Sequence, residues 1–180
     1  MRAVSVIGIL LRLAVVGGIV AWLLDRGLRQ QAGGGPPRAV ELLTVIDAPI
    51  ERVWAELIDI EGQPRWMHDM KSVRMDEPGP ARVGGTGVAT VRMYGVAVSD
   101  PVTITIVEPP HRFGVAHEGL FAGSGVFELE RGADGTTTIV RWEERLAAPI
   151  LPHLGAILTE PIFRQVFQAD LERFRAICEA

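Results

Sequence analysis

The chain has 180 residues, 48% of them hydrophobic and 22% charged, with a net charge of −4 from 18 basic and 22 acidic residues. That balance argues against nucleic-acid binding, which draws on an excess of positive charge. The single cysteine, Cys178, excludes an internal disulfide framework.

From Ala3 to Leu24 the only charge is Arg12. Such a span, taken as helix, rises about 33 Å and matches the roughly 30 Å hydrocarbon core of a bilayer. A central Arg costs about 2.5–3.5 kcal/mol on insertion, while the thirteen Leu, Ile and Val residues of the span contribute roughly −4 to −8 kcal/mol. Residues 1–25 are therefore read as one transmembrane anchor, with Arg12 snorkelling or facing a partner helix. Gly17 with Ala21, and Ala14 with Gly18, give small-xxx-small spacing for such a partner. A cleaved secretory signal is the rival reading. The apolar core is long and interrupted for a signal, and Gln30-Gln31-Ala32 is a poor cleavage site. Arg26, Arg29 and Arg38 follow the span, against Arg2 before it, so the positive-inside rule favours a cytoplasmic carboxyl-terminal domain.

Residues 26–38 read as a basic tether ending in Gly33-Gly34-Gly35-Pro36-Pro37, flexible and then stiff. Residues 39–180 remain as one domain large enough for a real core. The first 38 residues hold five Arg and one Asp, a net +4, which leaves the domain at −8. An acidic domain is poorly suited to lie flat on anionic lipid.

Val40 to Ile46 is rich in β-branched residues and Leu, and reads as a strand. Pro49 opens a short helix with Glu51 in its first turn, and Ile50, Val53, Trp54, Leu57 and Ile58 recur at helical spacing. Glu61 to Trp66 breaks that helix and starts a second short turn. The period then changes to two. Met70–Met75, Gly87–Tyr94, Val96–Val107, Arg112–His117, Gly125–Glu130 and Thr136–Leu146 read as six strands between turn signals. Asp100-Pro101 implies an edge position or a bulge. Gly84-Gly85-x-Gly87 precedes a strand and reads as a hairpin turn, not a phosphate loop. A long helix from about Ile150 to Glu179 closes the chain, with Phe163, Phe167, Leu171, Phe174 and Cys178 as its apolar stripe and Pro161 as a kink or break.

One strand, two small helices, six antiparallel strands and one long helix define an α+β chain. To bury both apolar faces, the sheet of about seven strands must curl around the carboxyl-terminal helix, a helix-grip arrangement that commonly leaves a cavity. The run Ala48-Pro49-x-x-x-Val53-Trp54-x-x-Leu57-x-Asp59 with Pro64-x-Trp66 resembles the opening of the START-like (SRPBCC) superfamily of polyketide cyclase/dehydrase and lipid-transport type. Val107-Glu108-Pro109-Pro110-His111-Arg112-Phe113 resembles its mid-sheet turn, and Gly135 to Trp142 its last strand. The resemblance covers about residues 39–178. It implies the helix-grip fold, but on this scaffold lipid carriers, quinone-binding proteins, cyclases and hydrolases all occur. The apolar amino-terminal segment is not part of the family pattern.

No catalytic constellation and no metal-ligand spacing is present, and no cofactor is implied. The four His residues (68, 111, 117 and 153) are dispersed. The candidate ligand-binding residues are Trp66, Met70, Met93, Phe113, His117, Phe121, Phe127, Trp142, Phe163 and Phe167. Trp66 is expected near the cavity mouth, whereas Trp54 is expected in the core. Met67, Met70 and Met93 suit a pliable pocket. Phe113, Val115 and His117 share one strand face; turned inward, His117 is a polar group in an apolar cavity, and turned outward it is solvated. Thr138, Val140, Trp142 and Glu144 share another face, which puts Glu144 at the cavity edge or at a solvated strand end. Arg92 and Tyr94 pose the same choice. Gly119-Leu120-Phe121-Ala122-Gly123 reads as a glycine-hinged lid or as a hairpin tip dipping toward the bilayer. The expected function is a membrane-anchored binding or transfer protein for a lipid, isoprenoid or quinone. The alternatives are a cyclase or hydrolase of a polyketide-like substrate, in which His117 or Glu144 moves protons, and a partner-binding accessory domain without ligand.

Overall fold

The computed structural model describes residues 2–93 and 95–180. Seven strands form one antiparallel sheet: β1 (Val40–Ile46), β2 (Met70–Met75), β3 (Thr86–Met93), β4 (Val96–Glu108), β5 (Arg112–His117), β6 (Ala122–Arg131) and β7 (Thr138–Ala147). Their spatial order is β1-β7-β6-β5-β4-β3-β2, so each neighbour pair from β2 to β7 is consecutive in sequence and β1 closes onto β7. Three helices complete the fold: α1 (Arg2–Gln31), α2 (Ile50–Leu57) and α3 (Pro152–Glu179), with a 3₁₀ turn at Ile60–Arg65. The sheet grips α3, as the helix-grip expectation holds.

The alternation read from the sequence is the one the sheet buries. On β1, Val40, Leu42 and Ile46 are buried while Leu43 and Val45 face out; on β7, Thr138, Val140, Trp142 and Glu144 all point inward. The apolar stripe of α3 enters the core through Leu171, Phe174 and Cys178. α3 packs most closely on β1, next on α1, and less on β7. Two polar ties fix its flanks: Arg164 donates to the Glu41 carbonyl at 2.8 Å, and the Asp47 amide donates to Glu179 at 2.8 Å. Across the sheet's other side, Arg173 donates to the Trp66 carbonyl at 3.0 Å and the His68 amide donates to Asp170 at 2.9 Å. Those bonds pin the segment leading into β2 beneath α3.

Four expectations change. β4 is not an edge strand: it lies between β3 and β5, and its register shift falls at Ile104/Ile106, not at Asp100. Pro101 is tolerated because its carbonyl accepts from the Glu118 amide, beyond the last paired residue of β5, His117. Its imide nitrogen faces the same way, where no ladder bond is needed. Pro161 lies inside a continuous α3 and does not divide it. The loop read at Gly119–Gly123 is shorter, because Ala122 and Gly123 already pair with Ala147 and Leu146 in β6. Helix α1 runs past residue 25 to Gln31, so the first part of the basic tether is helical. It stops in a Schellman arrangement: Gly34 donates to the Arg29 carbonyl at 2.9 Å and Gly33 to the Gln30 carbonyl at 3.0 Å, with Gly33 left-handed at φ 63°.

Helix α1 is apolar and exposed, and its segment Val6–Gln31, which holds an 18-residue window of mean hydropathy 2.4, is long and apolar enough to cross a membrane. Yet one of its side chains is buried. Asp25 is 9% exposed, and one of its carboxylate oxygens accepts from the amides of His153 and Leu154 at 2.8 and 2.9 Å. These are orphan donors of the first turn of α3, whose own N-cap residue, Leu151, supplies no side-chain bond. Asp25 thus caps α3 from another helix. Asp25→Ala is expected to destabilise the start of α3 by about 1 kcal/mol. Amide hydrogen exchange of the full chain should show faster exchange at His153 and Leu154, with protection of the β-sheet amides unchanged.

Candidate functional site

Helix α3 covers only part of the concave sheet face, and small inward residues, Ala89 on β3 and Gly125 on β6, keep the remainder open. The result is a cavity of about 440 Å³ between sheet and α3. Along the strands, Phe113, Phe127 and Trp142 share the level farthest from the rim, and Ile104, Val115, Gly125 and Glu144 the next. Val102, His117 and Leu146 share the one after, with Leu120, Phe121 and Ile162 at the rim. Val73 and Ala89 lie level with Asp100.

Of the candidate ligand-binding residues, Met70, Phe113, His117, Phe121, Phe127, Trp142, Phe163 and Phe167 line this cavity. Trp66 does not. It is fully buried behind the cavity, its ring 4.9 Å from Phe174 and edge-on to Phe127 and Trp142 at 6.3 Å, which corrects the expectation of a place at the mouth. The turn of the chain at Pro64-Arg65 drives Trp66 inward, and Arg173 holds its carbonyl there. The Met93 side chain and Tyr94 lie outside the described residues; Arg92 is exposed on the rim. The aromatic rings form one train from rim to core. Phe121 meets Phe163 edge-on at 5.8 Å, Phe163 stacks on Phe167 at 5.6 Å, Phe167 meets Trp142 at 4.9 Å, and Trp142 stacks on Phe127 at 4.8 Å.

Between the rim and the apolar deep end sits a polar cluster. His117 Nδ1 is 2.7 Å from Asp100 Oδ2, and its Nε2 is 3.3 Å from Glu144 Oε1. The other oxygens are held as well: Asp100 Oδ1 accepts from the Gly119 amide at 2.9 Å, and Glu144 Oε2 from Trp142 Nε1 at 2.9 Å. Both ring nitrogens of His117 face acceptors, so both carry protons and the ring is an imidazolium. Burial alone would lower its pKa, but hydrogen bonds to Asp100 and Glu144, and their negative charge, push it up to about 10. Two glycines, Gly125 on β6 and Gly119 in the loop after β5, make room for this arrangement. A Cβ on Gly125, which is paired with Glu144 in the ladder, would lie 2.4 Å from Glu144 Oε2, and one on Gly119 would lie 2.5 Å from Asp100 Oδ1. The inward reading of His117 and Glu144 is therefore the one the fold adopts. Asp100 is the member sequence reasoning missed; the signal was Asp100-Pro101 within a strand whose inward neighbours are apolar.

Deeper under α3, Asp170 also borders the cavity, and burial raises its carboxyl above the usual carboxylate range against the opposing bonds from His68 and Arg173. A second depression of about 400 Å³ lies outside the grip, by the 3₁₀ turn; its polar groups Asp59, Asp76, Glu77 and Arg82 are exposed. Among the described residues, no three His, Cys, Asp or Glu side chains are arranged to hold a metal ion.

A curved antiparallel sheet gripping one long helix around an apolar cavity defines a helix-grip protein. Residues 38–179 match the family described as polyketide cyclase / dehydrase and lipid transport, and the chain belongs to that family. The solved structures agree on the fold. DR_A0006 from Deinococcus radiodurans is 21% identical with a TM-score of 0.59, covering 78% of this chain and 97% of its own. TTHA0849 from Thermus thermophilus is 20% identical with a TM-score of 0.61, covering 78% and 96%. A conserved protein from Geobacillus kaustophilus is 12% identical with a TM-score of 0.63, covering 78% and 94%. No curated protein matches the chain.

The raised pKa of His117 makes a signed prediction. Above the ordinary histidine pKa near 6.5 the unfolded chain loses this proton while the folded chain keeps it up to about 10. The cluster's stabilisation is therefore full below pH 6.5 and is lost as pH rises toward 10. Equilibrium unfolding should show stability falling with pH across that window, by at most about 1.4 kcal/mol per pH unit for one proton. In His117→Gln that contribution to the slope should be gone.

Proposed function

We propose that this chain is a membrane-anchored binding or transfer protein for an apolar ligand, held in the cavity between the sheet and α3. The observation that carries this reading is the cavity itself: about 440 Å³, lined mainly by aliphatic and aromatic side chains and open at an apolar rim. A volume of this size fits the range of small-molecule sites, and its walls would desolvate a hydrocarbon tail. His117 is engaged on both ring nitrogens and holds its proton, so it is poorly suited to act as a general base. That counts against His117 as the general base of a cyclase or hydrolase.

Helix α1 serves in this reading as the anchor. A cleaved signal would take Asp25 with it and leave two amides of α3 without their acceptor. The rim residue Ile162 lies nine residues beyond His153 on α3, about 14 Å along the helix from the Asp25 cap. The anchor therefore holds the rim close to the bilayer from which a ligand would come, and raises its effective concentration there. The Arg residues at 26, 29 and 38 favour a domain on the cytoplasmic side.

The test uses the full chain, extracted from its membranes in mild detergent. Native mass spectrometry and solvent extraction are expected to find a stoichiometric apolar molecule, with intact mass including residues 1–25. Val115→Trp, which fills the middle of the cavity, should lower its occupancy at least tenfold. An empty protein that also fails to bind fluorescent fatty-acid and isoprenoid probes would overturn the reading.

A further inference from the structure

The cluster of Asp100, His117 and Glu144 has an unusual property when its hydrogen bonds are counted. The Nδ1–H of His117 is committed to Asp100, the Gly119 amide to Asp100 and Trp142 Nε1 to Glu144, while His117 Nε2 faces Glu144 Oε1 at 3.3 Å as an ion pair. Every donor of the cluster is thus turned toward one of its own carboxylates. Each of the four carboxylate oxygens faces one of these donors, and a carboxylate oxygen has room for about two. What the cluster turns to an occupant of the cavity is a set of acceptor sites and nothing else.

Charge points the same way. With the imidazolium counted, the cluster is net negative by one. Asp69 and Asp170 add carboxyl groups to the cavity wall, and among the described lining residues the remaining cation, Arg92, stands exposed on the rim. An anionic head group placed at the cluster would meet like charge in a half-desolvated setting and find no donor. A carbonyl would be left without its hydrogen bond. A hydroxyl, by contrast, donates to a charged acceptor, the stronger kind of hydrogen bond. The cluster also stands at the right depth: the apolar zone beyond it takes a tail, and the polar group of a ligand stops between Glu144 and the rim.

We propose that the cavity selects apolar ligands whose polar end donates a hydrogen bond, such as long-chain or isoprenoid alcohols and phenols, over the corresponding carboxylates and carbonyl compounds. This rests on the binding-protein reading above and deepens it. Within the quinone class it favours the reduced, dihydroxy form over the oxidised one.

Retinol, retinal and retinoic acid share one hydrocarbon skeleton and end in a hydroxyl, a carbonyl and a carboxylate, so they isolate the end group. The full chain in lipid nanodiscs is titrated with each at neutral pH by quenching of tryptophan fluorescence, with Trp142 on the cavity wall as reporter and protein-free nanodiscs as the partition control. Retinol is expected to bind at least about tenfold more tightly than either of the others, the factor one hydrogen bond to a charged group carries. Glu144→Gln puts an amide donor beside the ligand and should shrink that preference to less than about threefold. Asp100→Asn should do the same if the first variant fails to fold. Equal binding of the three, or tighter binding of the acid, overturns the selectivity while leaving the cavity reading intact. Binding of none of them, where the apolar probes also fail, overturns both.

Discussion

The constraint from which the site follows is a mismatch of widths. Seven strands at about 4.8 Å spacing make a sheet some 30 Å across, and a single helix is about 10 Å wide with its side chains. One helix cannot cover that face. Curling the sheet brings its two sides closer to α3, which packs directly on β1 and β7, while Phe163 and Phe167 of its apolar stripe turn to the cavity. Opposite, toward β3, β4 and β5, the inward side chains end without a helix against them. An apolar wall that no element fills is a binding site or an instability, and here the walls are held apart by Arg173, Asp170 and the core behind Trp66.

The aromatic train gives that space its rigidity. From Phe121 at the rim to Phe127 at the deep end, successive rings lie 4.8 to 5.8 Å apart, with the two rings from α3, Phe163 and Phe167, set between Phe121 and the strand pair Trp142 and Phe127. Rings in such contact are large, rigid planes held in edge-on and stacked geometries, and they line the space with little room for water. Trp142 is the junction. Its faces belong to the apolar train, while its Nε1–H belongs to the polar cluster through Glu144. The orientation of that carboxylate is thus coupled to the packing of the cavity wall.

Most of the fold was legible because its elements obey simple periods. β1, β2 and β5 begin and end where alternation predicts, and the long helix starts within two residues of the expected place. The inner face of β7 was readable for the same reason. What the sequence hides is contact between elements distant in the chain. Asp100, His117 and Glu144 lie on three strands, and only the register Val102↔His117, with β6 between β5 and β7, brings them together. Trp66 was expected near the mouth, and nothing local reveals that Arg173 lies across the core to hold its carbonyl. Asp25 entered the sequence reading only as a charge, because its partners lie 128 residues away on α3.

That last residue changes how the chain can be divided. The glycine-proline stretch at 33–37 invites removal of everything before it, and the fragment left behind would contain the whole family domain. It would not contain the acceptor for the first amides of α3, which lies 128 residues upstream of His153. A trimmed domain is therefore missing part of its own architecture at the end of α3 that leads to the cavity rim. Its fraying there would resemble an intrinsic mobility of the rim, although the intact chain has no such loose end.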